Sequence, residues 1–226
     1  MVTRPSLGAT PRELFVPAVV HGRILLEEGR GDDARALLVG FHGYGEGADE
    51  MIEPLHRVRG KRGWSLAAVQ ALHPFYRRSD GGVVACWMTK LDRERAIVDN
   101  QLYVARAVES IRHELPVVER MAFLGFSQGV AMAYRAAGSS PFPIAALVAL
   151  AGDVPPDLRG GERRLPPVLK GRGSDDEWYH PAKLETDRAV LTALGVEHEV
   201  VEFDGGHEWG EPFVEAARDF LGARLG

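Results

Sequence analysis

The chain has 226 residues and a formal net charge of −5. That length suits a single α/β domain spanning 1–226, with a core that two very small domains would lack. The mild acidity is spread along the chain, and no Lys/Arg run is long or interleaved with aromatics, which argues against nucleic acid as a partner. The basic residues are mostly arginine beside much Ala and Gly, the base-composition bias of a GC-rich bacterium. The first residues, Met1 to Ser6, lack the apolar core of a signal peptide, and no apolar stretch is long enough for a membrane span. Cys86 stands alone, so no intrachain disulfide can form. The expectation is a soluble cytoplasmic protein; a homodimer is left open.

In chain order, residues 16–20 and Ile24–Glu27 read as two strands around His21-Gly22-Arg23, an antiparallel hairpin at the sheet edge. Ala36–Phe41 is a continuous apolar run, the mark of a strand covered on both faces. Similar runs follow at Ser65–Val69, 121–124, Ile144–Leu150 and 167–169, with a weaker alternating one at 199–203. Helical patterns lie between them at 49–58, 92–114, 127–137, 181–194 and 212–225. Pro181 and Pro212 suit a first helical turn. This alternation predicts a mostly parallel sheet with helices on both faces, whose ligands bind beyond the carboxyl ends of the strands. Residues 71–91 form a long excursion of the kind that is usually functional. Residues 151–165 are rich in Gly, Pro and charge, and too short for a large cap domain.

Gly125-Phe126-Ser127-Gln128-Gly129 is the most informative motif. An apolar strand leads into it and a helix-prone run leads out, the setting of a nucleophile elbow. A serine on so sharp a turn projects its hydroxyl above the sheet, and side chains two residues to either side would collide, hence glycine there. The competing reading is a plain strand-to-helix turn with a serine cap.

A serine hydroxyl needs a base, and the base needs an orienting carboxylate. In the order serine, acid, histidine, each comes from a loop after a later strand. The acid falls in Gly173-Ser174-Asp175-Asp176-Glu177-Trp178. Asp176 is preferred: Gly173 supplies the bend, and Trp178-Tyr179 can shield the carboxylate. Asp175 is the alternative, and a solvated helix-capping turn is the competing reading. The base is His207, hung after Gly205-Gly206 between the last strand and the last helix. Two amides must hold an oxyanion. One is expected from Gln128, and the other from the glycine-rich His42-Gly43-Tyr44-Gly45 loop, at Tyr44. His42 reads as a buried, locally bonded side chain.

On Phe41-His42-Gly43-Tyr44-Gly45, the Phe-Ser-Gln-Gly elbow, Gly173 to Asp176 and Gly206-His207-Glu208, the chain resembles the phospholipase/carboxylesterase group of α/β-hydrolases. That group includes acyl-protein thioesterases and small bacterial esterases. The resemblance spans most of the chain. It implies the α/β-hydrolase three-layer sandwich, a triad of Ser127, Asp176 and His207, and oxyanion amides from Tyr44 and Gln128. Trp87 resembles the tryptophan beside the family's acyl pocket. Glu46 stands where the family usually has Asp, and Cys86-Trp87-Met88-Thr89 replaces a Trp-Phe-Asp wording.

The expected function is hydrolysis of small-molecule carboxylic esters or thioesters with short to medium acyl chains. Phe75, Tyr76, Trp87, Met88 and Trp178, with Trp209 less central, are the candidate pocket residues. Arg77 and Arg78 would meet an anionic leaving group or simply face solvent. No cofactor or metal is expected. The glycine loop lacks the Gly-Lys-Ser/Thr ending of a phosphate loop, and His207-Glu208 lacks a second histidine at zinc spacing. The alternatives are a lactone-type hydrolase, which would favour cysteine at the elbow, and a non-enzymatic small-molecule binder, which would usually lack a triad member.

Overall fold

The computed structural model describes residues 11–160 and 164–226. The segment read above for a signal peptide, and residues 161–163 of the stretch after the Ile144–Leu150 strand, lie outside the described residues. Seven strands form the main sheet: β1 (Ile24–Glu27), β2 (Ala36–Phe41), β3 (Ser65–Val69), β6 (Arg120–Phe126), β7 (Ile144–Leu150), β8 (Val168–Gly173) and β9 (His198–Phe203). Their spatial order is β1-β3-β2-β6-β7-β8-β9. All neighbours are parallel except β1, which runs antiparallel to β3. The expected antiparallel pair at the N-terminal edge is thus present, with a different partner. Residues 16–20 form no strand and lie exposed, while β1 finds its ladder on β3 instead. At Gly22 the chain crosses Tyr103 so closely that a β-carbon would fall 1.9 Å from its ring.

Among the described residues five α-helices flank the sheet: α1 (Ala48–Arg59), α2 (Arg93–Glu114), α3 (Gln128–Ser139), α4 (Pro181–Ala193) and α5 (Glu211–Leu225). Side chains alternate across each strand. On β2, Leu37, Val39 and Phe41 therefore join the core under α2 and α3, where Val104, Val108 and Val130 pack. Ala36 and Leu38 join the core under α1 and α5, with Leu55 and Phe220. Both faces being covered explains why these strands read as unbroken apolar runs.

The 71–91 excursion is a structured element. It folds as a hairpin of β4 (His73–Tyr76) and β5 (Val83–Cys86), paired antiparallel. Ala85 anchors the hairpin to the glycine loop after β2, taking the Gly45 amide (3.1 Å) and donating its own to the Glu46 carbonyl (2.7 Å). The hairpin therefore sits beside the carboxyl ends of β2 and β6.

Candidate active site

Ser127 occupies the single residue between β6 and α3, at φ 51° and ψ −118°. An L-residue there is strained, and the surrounding bonds must hold it. Its amide donates to the Leu150 carbonyl at 2.9 Å, and its carbonyl accepts from Val130 at 3.1 Å. The flanking glycines are sterically compulsory. A β-carbon on Gly125 would lie 2.6 Å from Val130 Cα, and one on Gly129 only 2.0 Å from the Phe41 carbonyl oxygen.

The acid and base meet across two loops packed without clearance: a β-carbon on Gly173 would lie 2.2 Å from the carbonyl oxygens of Gly205 and Gly206. Asp176 is buried, and its Oδ1 accepts amides from Trp178 and Tyr179, both at 2.8 Å. Its Oδ2 lies 2.8 Å from His207 Nδ1. Burial pushes the Asp176 carboxyl up, but the Tyr179 amide, His207 and the Trp178 amide outweigh it and hold the group below the usual carboxylate range. Asp175 is exposed, and among the described residues its side chain bonds only Ser174. The geometry thus separates the two neighbouring aspartates. Tyr179, nearly fully buried, shields Asp176, whereas the Trp178 ring is largely exposed.

With Nδ1 donating to Asp176, the second nitrogen of His207 is left as a base. The ring packs on Phe126, centroids 4.9 Å apart. Ser127 and His207 line one cavity, and no hydrogen bond joins the hydroxyl to the imidazole among the described residues. Such contacts commonly tighten only when substrate is bound.

His42 is fully buried. The Ala71 amide donates to its Nε2 at 3.0 Å, so Nδ1 carries the proton and donates to the Gly43 carbonyl at 2.7 Å. Burial lowers its pKa, so it is a neutral brace for the glycine loop. Glu46 Oε2 accepts the Gly43 amide at 2.7 Å. The amides of Tyr44 and Gln128 take part in no hydrogen bond among the described residues.

The Gln128 side chain makes a tie at the site that pattern reading missed. Its Oε1 accepts the Trp87 amide (2.8 Å) and its Nε2 donates to the Met88 carbonyl (2.9 Å), tying the end of the excursion to the elbow. Only the known fold could have suggested that tie; no spacing encodes it. Trp87 is completely buried, with Nε1 donating to the His42 carbonyl at 2.9 Å.

The cavity holds about 980 Å³. Of the residues expected from sequence, it gathers Ser127, His207, Tyr44, Gln128, Met88 and Trp178. Trp87 braces the site from within the core. Phe75 stacks on Tyr44 from the hairpin, centroids 5.4 Å apart, and Tyr76 is exposed there, neither lining the cavity. Trp209 packs between Phe126 and Phe213. Arg77 is engaged by Glu50 and Asp80. The rest of the wall comes from Thr89, Lys90 and Arg93 at the start of α2, Ala131 on α3, the segment after β7, and the turn that leads into the first half of α4. Among the described residues no group of three or more His, Cys, Asp or Glu is placed to hold a metal ion.

Behind that wall lies a buried ion pair. Lys170 and Asp187 are both fully enclosed, 2.7 Å apart. Asp187 Oδ2 also accepts from the Tyr179 hydroxyl (2.8 Å) and the Val154 amide (2.9 Å). Tyr179 thereby bonds this pair through its hydroxyl and Asp176 through its amide. Burial lowers the Lys170 pKa, and Asp187 opposes that shift.

Residues 27–225 match the family model for phospholipase/carboxylesterase. The chain belongs to that family. It is a carboxylesterase-type hydrolase. Solved structures with the same fold include esterase PE8 (23% identity, TM-score 0.71, covering 90% of this chain and 98% of that one). The Bacillus cereus carboxylesterase is similar at 15% identity and TM-score 0.72, covering 90% of this chain and 94% of its own. A Mesorhizobium loti carboxylesterase follows at 18% identity and TM-score 0.67, covering 89% and 93%. No curated protein sequence matches the chain. Ser127, Asp176 and His207 follow the carboxyl ends of β6, β8 and β9, where open α/β sheets bind their ligands. No described helix is long and apolar enough to cross a membrane.

Proposed function

We propose that this hydrolase cleaves carboxylic esters or thioesters with short to medium acyl chains through Ser127, His207 and Asp176. The observation that carries the reading is the 2.8 Å bond from His207 Nδ1 to Asp176, which leaves the opposite nitrogen basic in the cavity that also holds Ser127. Ser127 Oγ attacks the acyl carbon as its proton passes to His207 Nε2. The amides of Tyr44 and Gln128 hold the oxyanion, helped by the positive end of α3. His207 protonates the departing alcohol or thiol, and the acyl group remains on Ser127. Water then attacks, giving its proton to His207, and Ser127 leaves with that proton as the free acid departs. Asp176 keeps the imidazole in the required tautomer and stabilises its cation.

Met88, Tyr44 and Trp178 supply apolar surface to the cavity and are the proposed substrate contacts. The lone Cys86 and the arginine-rich composition support a cytoplasmic location in a bacterium. The test is hydrolysis of a chromogenic butanoate ester together with labelling by a fluorophosphonate probe. Ser127→Ala should abolish labelling and reduce turnover at least about a thousandfold. Undiminished turnover in that variant would overturn the reading.

A further inference from the structure

The cavity is far more basic than the chain around it. Among the described residues, four cationic side chains, Lys90, Arg93, Arg159 and Lys183, line it against a single carboxylate, Asp153. The chain as a whole carries −5. Asp153 is matched by Lys183 at 3.3 Å. Among the described residues Arg159 meets the Asp187 carboxylate at 3.7 Å, and Lys170 already balances that charge at 2.7 Å. A positive charge is therefore left over on the wall formed by Arg159 and α4. The Arg159 guanidinium is also oriented, because its Nε donates to the Val154 carbonyl at 3.1 Å and turns the terminal nitrogens away from that bond. A planar fork held by one nitrogen is suited to gripping a carboxylate or phosphate through the others. The first turns of α2, α3 and α4 add their positive ends to the same space, through Arg93, Gln128 and Lys183. Cations of one sign focused in a cleft raise the local concentration of anionic substrate.

We propose that the substrate carries an anionic group besides its ester or thioester bond, and that Arg159, seconded by Lys183, binds it. This rests on the assignment of Ser127 as the nucleophile and adds the substrate class. The bond broken is the same acyl bond, and the anion is carried through unchanged on either the acyl or the leaving side.

Two matched pairs distinguish those sides. 4-Nitrophenyl hydrogen adipate against 4-nitrophenyl hexanoate places the charge on the acyl chain. 3-Butanoyloxybenzoate against 3-butanoyloxybenzamide places it on the leaving group. At low salt at least one anionic member should exceed its neutral partner about tenfold in kcat/KM. The advantage should shrink in about 0.5 M KCl. Arg159→Gln should lower the anionic-to-neutral ratio about tenfold, and Lys183→Gln in the same direction. If Ser127 labels and neutral esters turn over with no anionic preference, or if the ratio ignores both substitutions, this proposal falls while ester hydrolysis stands. If Ser127 does not label, hydrolysis through it falls, and calorimetry with adipate and 3-hydroxybenzoate decides the anion site. Binding lost in Arg159→Gln upholds it, and no binding to the unaltered protein ends it.

Discussion

Removing the Asp187 carboxylate should be among the most damaging single changes to this fold. Asp187→Ala strips a fully enclosed lysine of its partner, and leaves the Val154 amide and Tyr179 hydroxyl without their acceptor. Breaking a buried ion pair from one side costs about 3–5 kcal/mol, and the two orphaned donors place the loss at the upper end. For a chain this long, about 4 kcal/mol corresponds to a fall in Tm of roughly 10 °C. Urea and thermal unfolding would measure it. The pH dependence is a sharper check. Burial already holds Lys170 below its ordinary value, and Asp187 opposes that shift. Without Asp187 the folded pKa drops further, while the unfolded chain keeps its proton to a higher pH. Between those two values the unfolded state binds more protons, so stability rises with pH. The deficit should thus be full below the folded pKa and shrink as the pH climbs toward the ordinary lysine range. A combined Lys170→Met, Asp187→Asn protein, with no buried charge and an acceptor retained, should recover most of the loss. A deficit below about 1 kcal/mol, or one that grows with pH, would refute the account.

Asp176→Asn should lower kcat about ten-thousandfold with the fold intact, while Asp175→Asn stays within a fewfold, both read by ester hydrolysis. Because the Asp176 pKa is depressed in the fold, its ionised form adds stability above the unfolded carboxylate pKa, lost as pH falls through the folded value. Acid unfolding of Asp176→Asn should therefore show a shallower pH dependence than that of the unaltered protein. Trp87→Phe should cost about 2 kcal/mol in urea unfolding by orphaning the His42 carbonyl, without changing the acyl-length profile. Gly129→Ala should prevent stable folding, read by circular dichroism, because the new methyl would lie 2.0 Å from a carbonyl oxygen.

The central strands and the elbow were legible because their causes are local. Ala36–Phe41 is apolar on both faces since helices cover both, and the Gly-x-Ser-x-Gly spacing follows from one tight bend. β8 was legible only as 167–169, because Lys170 and Arg172 interrupt its apolar run. Both are buried by grace of distant partners, Asp187 and Glu202, which no window of sequence contains. The β4–β5 hairpin was missed for a related reason: His73–Tyr76 is short and mostly exposed, so little periodicity marks it. Residues 16–20 show the converse, a β-prone run without a ladder to join. Asp175 and Asp176 are alike in composition and differ only in which way a three-residue turn points them, a matter for the two amides that close on Asp176.

Among the described residues the β4–β5 hairpin is held by the Ala85 bridge to the glycine loop and the Phe75 stack on Tyr44, and the Trp87 and Met88 backbone just beyond it is held by Gln128. Between its anchors, the 77–82 tip bonds chiefly to itself and to Glu50. That makes the tip a natural graft point. Loops of other lengths could be spliced there without disturbing the cleft, whose described lining takes no residue from the hairpin.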